Sequence, residues 1–128
     1  MDIESIMDML DWHADLEIQS KGREMAENLD VIVPFILPAT PKYNKNVWEN
    51  CAIIIAKKTD DELKLHLISL MEWLQDMTWP GAFNIFERLT HFRDDCLLKT
   101  AINMSIQQAR SCNDEIWVSN LSNLIKSM

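Results

Sequence analysis

Apolar residues recur at intervals of three and four along most of this chain, which has 128 residues. On an α-helix, such spacing gathers the apolar side chains into one stripe that faces a core. No stretch alternates convincingly with a period of two, and turn dipeptides such as Asn-Gly are absent, so the pattern does not indicate β-strands. The stripes predict about three helix pairs, with six to seven helices, in an all-α fold that forms one domain over residues 1–128.

Prolines divide the chain after its second helix. Three of the four, Pro34, Pro38 and Pro41, fall within residues 31–45. Because proline lacks an amide donor and crowds the preceding turn, this segment is predicted to be a connector. The third helix follows over residues 46–58 and is apolar on most sides, which predicts a central, buried position.

Polar residues that can cap helices mark several of the predicted starts. Thr59 and Glu62 form a capping box ahead of the fourth helix, in which each side chain accepts a hydrogen bond from the other residue's backbone amide. The N-caps of the second, fifth and seventh helices are predicted at Asp15, Asp76 and Asn113, because their side chains can accept from amides of the first turn.

Two stripes raise specific expectations about packing. The fifth helix is predicted to begin at Thr78-Trp79-Pro80, since proline is tolerated in a first turn. Its predicted core-facing residues are Trp79, Ala82, Phe83, Phe86 and Leu89. The stripe of the first helix consists of Ile3, Ile6, Met7 and Leu10. This second stripe must be covered by the second helix or by another chain, so a homodimer through an end helix stays open.

The charge of the chain is strongly acidic. It has 12 basic and 20 acidic residues, a net charge of −8 and a pI of about 4.7. A protein that grips nucleic acid through its phosphates needs a basic face, so a nucleic-acid partner is not expected. Nine of the acids lie within residues 1–30. They are either solvated helix faces with acids at helix N-termini, or an acidic surface that attracts a basic partner.

The sequence also bears on the compartment. The first residues lack the basic and apolar regions of a secretory signal, and no apolar run approaches the length of a membrane span. The cysteines Cys51, Cys96 and Cys112 include no C-x-x-C pair, so neither a zinc site nor a redox pair is indicated. We expect a cytoplasmic protein with buried free thiols and no membrane contact.

Residue patterns that carry catalysis are largely missing. The three histidines, His13, His66 and His91, form no His-x-x-x-His pair. Two glycines are too few for a phosphate-binding loop. Glu72 and Asp76 share a helix face and could act as acid and base, but Asp76 is better placed as a helix cap. The prediction is therefore a protein without cofactor or metal that is not an enzyme.

An internal repeat is visible around three tryptophans. The segment Leu10–Ile18 resembles Met71–Trp79, and the Asp-x-x-Trp part recurs at residues 114–117. Each copy would be a helix, a turn capped by Asp, and a second helix that buries its first large residue. Because such units cannot bury their apolar faces alone, about three of them are expected to stack.

A family resemblance adds to this pattern. Residues 72–82 and 41–52 resemble a family of small bacterial proteins of unknown function, the domain of unknown function family 5071, and the resemblance covers about residues 10–125. It implies a HEAT/ARM-like right-handed superhelix of about three helix pairs. It implies no reaction and no catalytic residue. Some small bacterial HEAT-like proteins act as immunity partners of secreted toxins, which is an analogy of fold alone.

The tryptophans near the predicted turns suggest a binding surface. They are expected either to wedge between helix pairs or to form a groove with neighbouring polar groups, since Trp and Tyr are frequent binding anchors. The candidate binding residues are Trp12, His13, Asp15, Tyr43, Trp48, Glu49, Trp73, Gln75, Asp76 and Trp79. The predicted function is a non-enzymatic protein-binding helical-repeat module for a basic protein partner, such as an immunity or antitoxin-type protein. The alternative is a small-molecule-binding protein or enzyme with a pocket near Trp73, Asp76 and Trp79.

Overall fold

A computed structural model describes residues 2–128, and these residues form helices and turns without a β-strand. The α-helices are α1 (Ile3–Met9), α2 (Leu16–Glu27), α3 (Lys45–Ala56), α4 (Asp60–Leu63), α5 (Leu67–Met71), α6 (Ala82–Thr90), α7 (Asp95–Ser111) and α8 (Glu115–Ser127). Short 3₁₀ turns occupy Val33–Phe35, Lys64–His66 and Glu72–Gln75. The predicted all-α fold is confirmed.

The predicted fourth helix is a composite of four pieces. α4, the turn Lys64–His66, α5 and the turn Glu72–Gln75 follow one another without a break, and we call residues 60–75 the composite helix. The capping box at its start is present, with Thr59 and Glu62 each accepting from the other's amide. With the composite helix counted as one, residues 2–128 contain seven helices, within the six to seven that the apolar stripes predict.

α3 lies at the centre of the helix stack. It packs against α2 on one side and α6 on the other, and seven of its residues are buried. The composite helix packs against α7, and α7 packs against α8. Burial raises the pKa of the Cys51 thiol on α3 to about 12, because a thiolate loses its solvation there.

Two predictions about buried faces have different outcomes. The stripe of α1 is covered within the chain, since α1 packs on α2 and its Ile6, Met7 and Leu10 are buried. The expectation of buried thiols is correct for Cys51 but wrong for Cys96 and Cys112, which are exposed. These two lie at the ends of α7, outside the face that contacts the composite helix and α8.

The start of the fifth predicted helix lies further along the chain than expected. α6 begins at Ala82, and its N-cap is Gly81 in a left-handed conformation with φ 86°. A Cβ atom on Gly81 would lie 2.5 Å from the Cβ of Ala52 and 2.8 Å from the carbonyl oxygen of Trp48. This close approach to α3 sets the phase of α6, because a helix that starts there turns Ile85 inward and leaves Phe83 68% exposed. Phe86 is half-buried.

The predicted helix caps also need correction. Asp76 does not cap α6 but accepts from the backbone amide of Thr78 at 2.8 Å within the preceding turn. Asp15 makes no side-chain capping hydrogen bond. Asn113 has φ 56° and ends α7 in a Schellman motif, where asparagine tolerates the left-handed backbone. The side chain that caps α8 is that of Asp114, which accepts from the amide of Trp117 at 3.0 Å.

Candidate functional site

All ten predicted binding residues lie in three segments that meet around the N-terminal turn of α3. We call residues 10–15, 40–49 and 73–81 together the turn edge. The backbone amide of Trp12 donates to the carbonyl of Asn46 at 2.9 Å, which joins the first segment to α3. The ring centroids of Trp48 and Trp79 lie 5.4 Å apart, which joins α3 to the third segment.

Two tryptophans of the turn edge belong to the core. Trp48 and Trp73 are buried and pack edge to face, with ring centroids 6.4 Å apart. Their indole N–H groups donate to the carbonyls of Pro38 at 2.8 Å and Pro80 at 2.9 Å. A buried indole with its donor satisfied is typical of packing between helices. Trp48 and Trp73 therefore wedge between neighbouring elements.

The other tryptophans differ from one repeat copy to the next. Trp12 matches Trp73 in the sequence repeat, yet Trp12 is 50% exposed and Trp73 is fully buried. Trp79 is half-buried, with the ammonium of Lys45 6.0 Å from its ring centroid. Trp117 is buried and donates to the carbonyl of Met71 at 3.0 Å. Among the predicted binding tryptophans, Trp12 and Trp79 present indole surface to solvent.

Polar side chains of the second and third segments hold the turn at residues 73–81. Glu49 accepts from the backbone amide of Gly81 at 2.8 Å. Gln75 donates to the carbonyl of Glu72 at 2.9 Å. The hydroxyl and amide of Thr78 both donate to Asp76 and hold the pKa of that carboxyl below its usual value. The side chains of Glu49, Gln75 and Asp76 are therefore all used in hydrogen bonds within the protein.

Two further carboxylates organise the first two segments, and sequence analysis did not identify them. Asp11 accepts from the backbone amide of His13 at 2.8 Å and from the side chain of Asn46 at 3.0 Å, and its pKa is lowered, chiefly by the His13 amide. The imidazole of exposed His13 lies 3.0 Å from the same carboxylate. The signal of these two carboxylates, Asp8 and Asp11, in the sequence is weak, because acids near helix ends are common.

Asp8 anchors Tyr43, which lies in the predicted connector at residues 31–45. The Tyr43 hydroxyl donates to Asp8 at 2.6 Å, and the ammonium of Lys42 lies 3.0 Å from the same carboxylate. These two partners lower the pKa of Asp8, the tyrosine hydrogen bond first. Asp15, in contrast, is exposed and has no capping hydrogen bond. The polar groups of the turn edge thus tie α1 and the connector to α3.

A large cavity lies away from all ten predicted binding residues. It has a volume of about 770 Å³ and lies between the start of α4 and α6. Arg88 reaches across it to Asp60 at 2.5 Å and to the carbonyl of Lys58 at 3.0 Å. Burial alone would raise the pKa of Asp60, but the amide of Arg93 and the guanidinium of Arg88 outweigh it and lower that pKa. Arg88 and Asp60, the two charged residues that meet across this cavity, therefore neutralise each other.

A smaller groove between the composite helix and α7 has a different character. Its exposed apolar side chains are Leu65, Ile68, Leu97 and Met104. Leu65 is 86% exposed and Met104 is 54% exposed. The other lining residues are Lys64, Leu67, Thr100 and Ala101, around a cavity of about 140 Å³. We call these eight residues the apolar groove.

The apolar groove was not predicted from the sequence, although its residues are recognisable there. Leu65 and Ile68 lie outside the buried stripe of the composite helix, and Leu97 and Met104 lie outside the buried face of α7. Single exposed apolar residues are ordinary. The four become a continuous surface only because α7 packs beside the composite helix, which the sequence alone does not reveal.

The part of the chain that the structure describes contains neither a metal-ligand cluster nor a helix that could span a membrane. No group of three or more His, Cys, Asp or Glu side chains within residues 2–128 could hold a metal ion. Within the same residues, no helix combines the length and apolar character needed to cross a bilayer.

Comparison with known protein families identifies the family of this chain. The model of a protein family described as Domain of unknown function (DUF5071) matches residues 41–128. This range contains the apolar groove, the segment 73–81 and residues 41–49 of the turn edge, but not residues 1–40. No curated protein matches the chain. No solved structure matches it.

Proposed function

The chain belongs to the DUF5071 family, and we propose that it is a non-enzymatic protein-binding module built from stacked helices. The observation that carries this proposal is the apolar groove, where four large apolar side chains remain exposed together. Contiguous apolar surface of this kind marks interaction sites in soluble proteins.

The energy available from the apolar groove is large enough for recognition. Fully burying one side chain the size of leucine or methionine is worth about 1.5–3 kcal/mol. Leu65 and Met104 are each more than half exposed, so most of this free energy is still available to a partner. Because the backbones on both sides are helical, the groove can accept a partner without losing its own hydrogen bonds.

The turn edge gives less support to the alternative of a small-molecule site. A pocket around Trp73, Asp76 and Trp79 would need accessible aromatic surface and polar groups that converge on a ligand. Trp73 is fully buried against Trp48. Asp76 is engaged by Thr78. We therefore favour a binding module over an enzyme.

The repeat type and the partner belong to the same proposal. We infer a HEAT-like stack, because α1 packs on α2 and α7 on α8 as helix pairs, while α3 packs on α6 and the composite helix packs on α7, each with the next helix but one. The net charge of −8 would speed the approach of a basic protein. Neutralisation of a cationic toxin in the cytoplasm of a bacterium is one concrete form of this role.

Affinity capture from the native host tests the proposal. The bait is the full chain, compared with the double variant Leu65→Gln/Met104→Gln. The matched control is Phe83→Gln/Ile116→Gln, which removes two apolar side chains that are 68% and 69% exposed outside the groove. We expect the bait and the control to retain one protein that also binds them when both components are purified. Recovery of the chain alone at every salt concentration would overturn the proposal.

A further inference from the structure

Resting on the proposed protein-binding role, we propose that the apolar groove is the docking site for a basic amphipathic α-helix of the partner. The size of the groove favours a row of side chains over a small molecule. Its cavity of about 140 Å³ is below the roughly 300–1,000 Å³ of typical small-molecule sites. A cavity of this size holds an anchoring side chain or two, and the rest of a partner segment would lie along the open groove.

The spacing of the groove residues matches a helix. Leu97, Ala101 and Met104 stand at positions i, i+4 and i+7 of α7, so they follow one another along one face. Leu65 and Ile68 stand three apart on the opposite wall. A third helix laid between these walls presents its own apolar residues at intervals of three and four, which is the common helix-in-groove arrangement.

Other peptide conformations fit the groove less well. A partner that adds a β-strand needs an exposed strand edge, and residues 2–128 contain no strand. A polyproline segment docks on aromatic walls, whereas the eight groove residues include no aromatic side chain. An α-helix satisfies its own backbone hydrogen bonds and needs only an apolar groove, which is what these walls offer.

The acids beside the groove favour a basic helix. Glu72 lies four residues after Ile68, and Asp94 lies three residues before Leu97. Both acids are exposed. Lys64, the one charged residue in the lining, is paired with Asp61 at 2.8 Å, so this ion pair adds no net charge. Lysine or arginine side chains that flank an apolar stripe would therefore meet Glu72 and Asp94 beside the groove.

The same charges disfavour a second copy of this chain in the groove. Two copies would bring together surfaces of one sign, each from a chain with a net charge of −8. Like charges placed across an interface cost binding free energy. On α7, Lys99 lies two residues from both Leu97 and Ala101, so it points away from the groove and does not change its charge.

Fluorescence anisotropy with designed peptides tests the inference on the full chain. Three labelled peptides of about 18 residues, or five helical turns, are compared: an amphipathic leucine–lysine helix, the same pattern with glutamate for lysine, and a scrambled leucine–lysine peptide without a stripe. We expect the basic amphipathic peptide to bind at least about tenfold tighter than the other two. We expect added salt to weaken this binding.

The groove variant locates the binding. Leu65→Gln/Met104→Gln should weaken the basic amphipathic peptide at least about tenfold, whereas Phe83→Gln/Ile116→Gln should leave it unchanged. Both variants conserve the net charge, so general attraction to an acidic protein stays constant. Ile68→Gln provides a second, single-site test of the same wall. Circular dichroism confirms that each variant is folded.

Four outcomes would overturn the inference. They are tighter binding of the acidic peptide, equal binding of the scrambled peptide, unchanged binding by the groove variants, and self-association of the wild-type chain that the groove variants abolish. If a partner is captured from the host but these peptides fail, the protein-binding function stands and only the basic-helix assignment falls. If neither a partner nor a peptide binds, both fall.

Discussion

At the turn edge, Trp48 and Trp73 are buried and each indole N–H is satisfied by a backbone carbonyl, whereas Leu65 and Met104 in the apolar groove are mostly exposed. In the sequence, the turn edge is the more obvious candidate for a binding site, because tryptophans near turns are frequent binding anchors. The second contains only leucine, isoleucine and methionine. The difference teaches that burial and satisfied donors, more than residue type, separate a packing surface from one that is free to bind.

The largest expected effect tests the turn edge as a packing surface. Trp73→Ala should lower the free energy of unfolding by about 3–5 kcal/mol, the usual cost of emptying a large buried aromatic site. The matched change Trp12→Ala, at the equivalent position of the repeat, should cost less than about 1 kcal/mol because that ring is 50% exposed. Urea denaturation measures both. Similar losses at the two positions would contradict the contrast between them.

A smaller effect is expected where the backbone of the turn edge approaches α3. Gly81→Ala should destabilise the fold by about 1–3 kcal/mol, since it adds a Cβ in a left-handed conformation against Ala52 and the carbonyl of Trp48. Adding Ala52→Gly should recover only part of this loss, because the backbone strain and the contact with Trp48 remain. Full recovery would show that the clash with Ala52 alone requires glycine. Thermal or urea denaturation of the single and double variants measures this.

The smallest expected effect is a dependence of stability on pH, which should come from the turn edge and not from the apolar groove. The pKa values of Asp8, Asp11 and Asp76 in or beside the turn edge are lowered by hydrogen bonds. A carboxyl with a lowered folded pKa stabilises the fold above its unfolded pKa of about 3.9, and this contribution is lost as the pH falls through the folded value. The free energy of unfolding should therefore decline below about pH 5.

Two variants make that pH dependence specific. Asp11→Asn keeps an oxygen that can accept from His13 but removes the titrating charge, so its stability should fall less steeply with acid than that of the wild type. Leu65→Gln/Met104→Gln changes no charge and should fall in parallel with the wild type. Urea denaturation between about pH 7 and pH 3 compares the slopes. A parallel decline of Asp11→Asn would show that this carboxylate adds no pH-dependent stability.

The sequence was sufficient for features that depend on local periodicity. The buried residues Ile6, Met7 and Leu10 of the first stripe and the capping box at Thr59 are both found where they were predicted. The start of α6 was predicted too early, because it is fixed by the approach of Gly81 to Ala52, a contact between residues far apart in the chain. Phe83 was consequently assigned to the core although it is exposed.

The candidate site was predictable in part for the same reason. Residues near turns were expected to share an edge, and the three segments do meet around the start of α3. Some of their side chains form hydrogen bonds within the protein, as Glu49 does with the amide of Gly81. Which side chains do so depends on tertiary structure. The apolar groove could not be inferred either, since its two walls are about thirty residues apart in sequence and meet only through packing.

The exposed thiols at the ends of α7 offer a way to observe the groove without altering it. Cys96 and Cys112 are exposed, whereas the buried Cys51 has a pKa of about 12 and stays protonated at ordinary pH. Sixteen residues of helical rise separate the backbones of Cys96 and Cys112 by about 24 Å along the helix axis, with Leu97 and Met104 between them on α7. The natural chain is thus already suited to a pair of site-specific probes that report on a ligand lying between them.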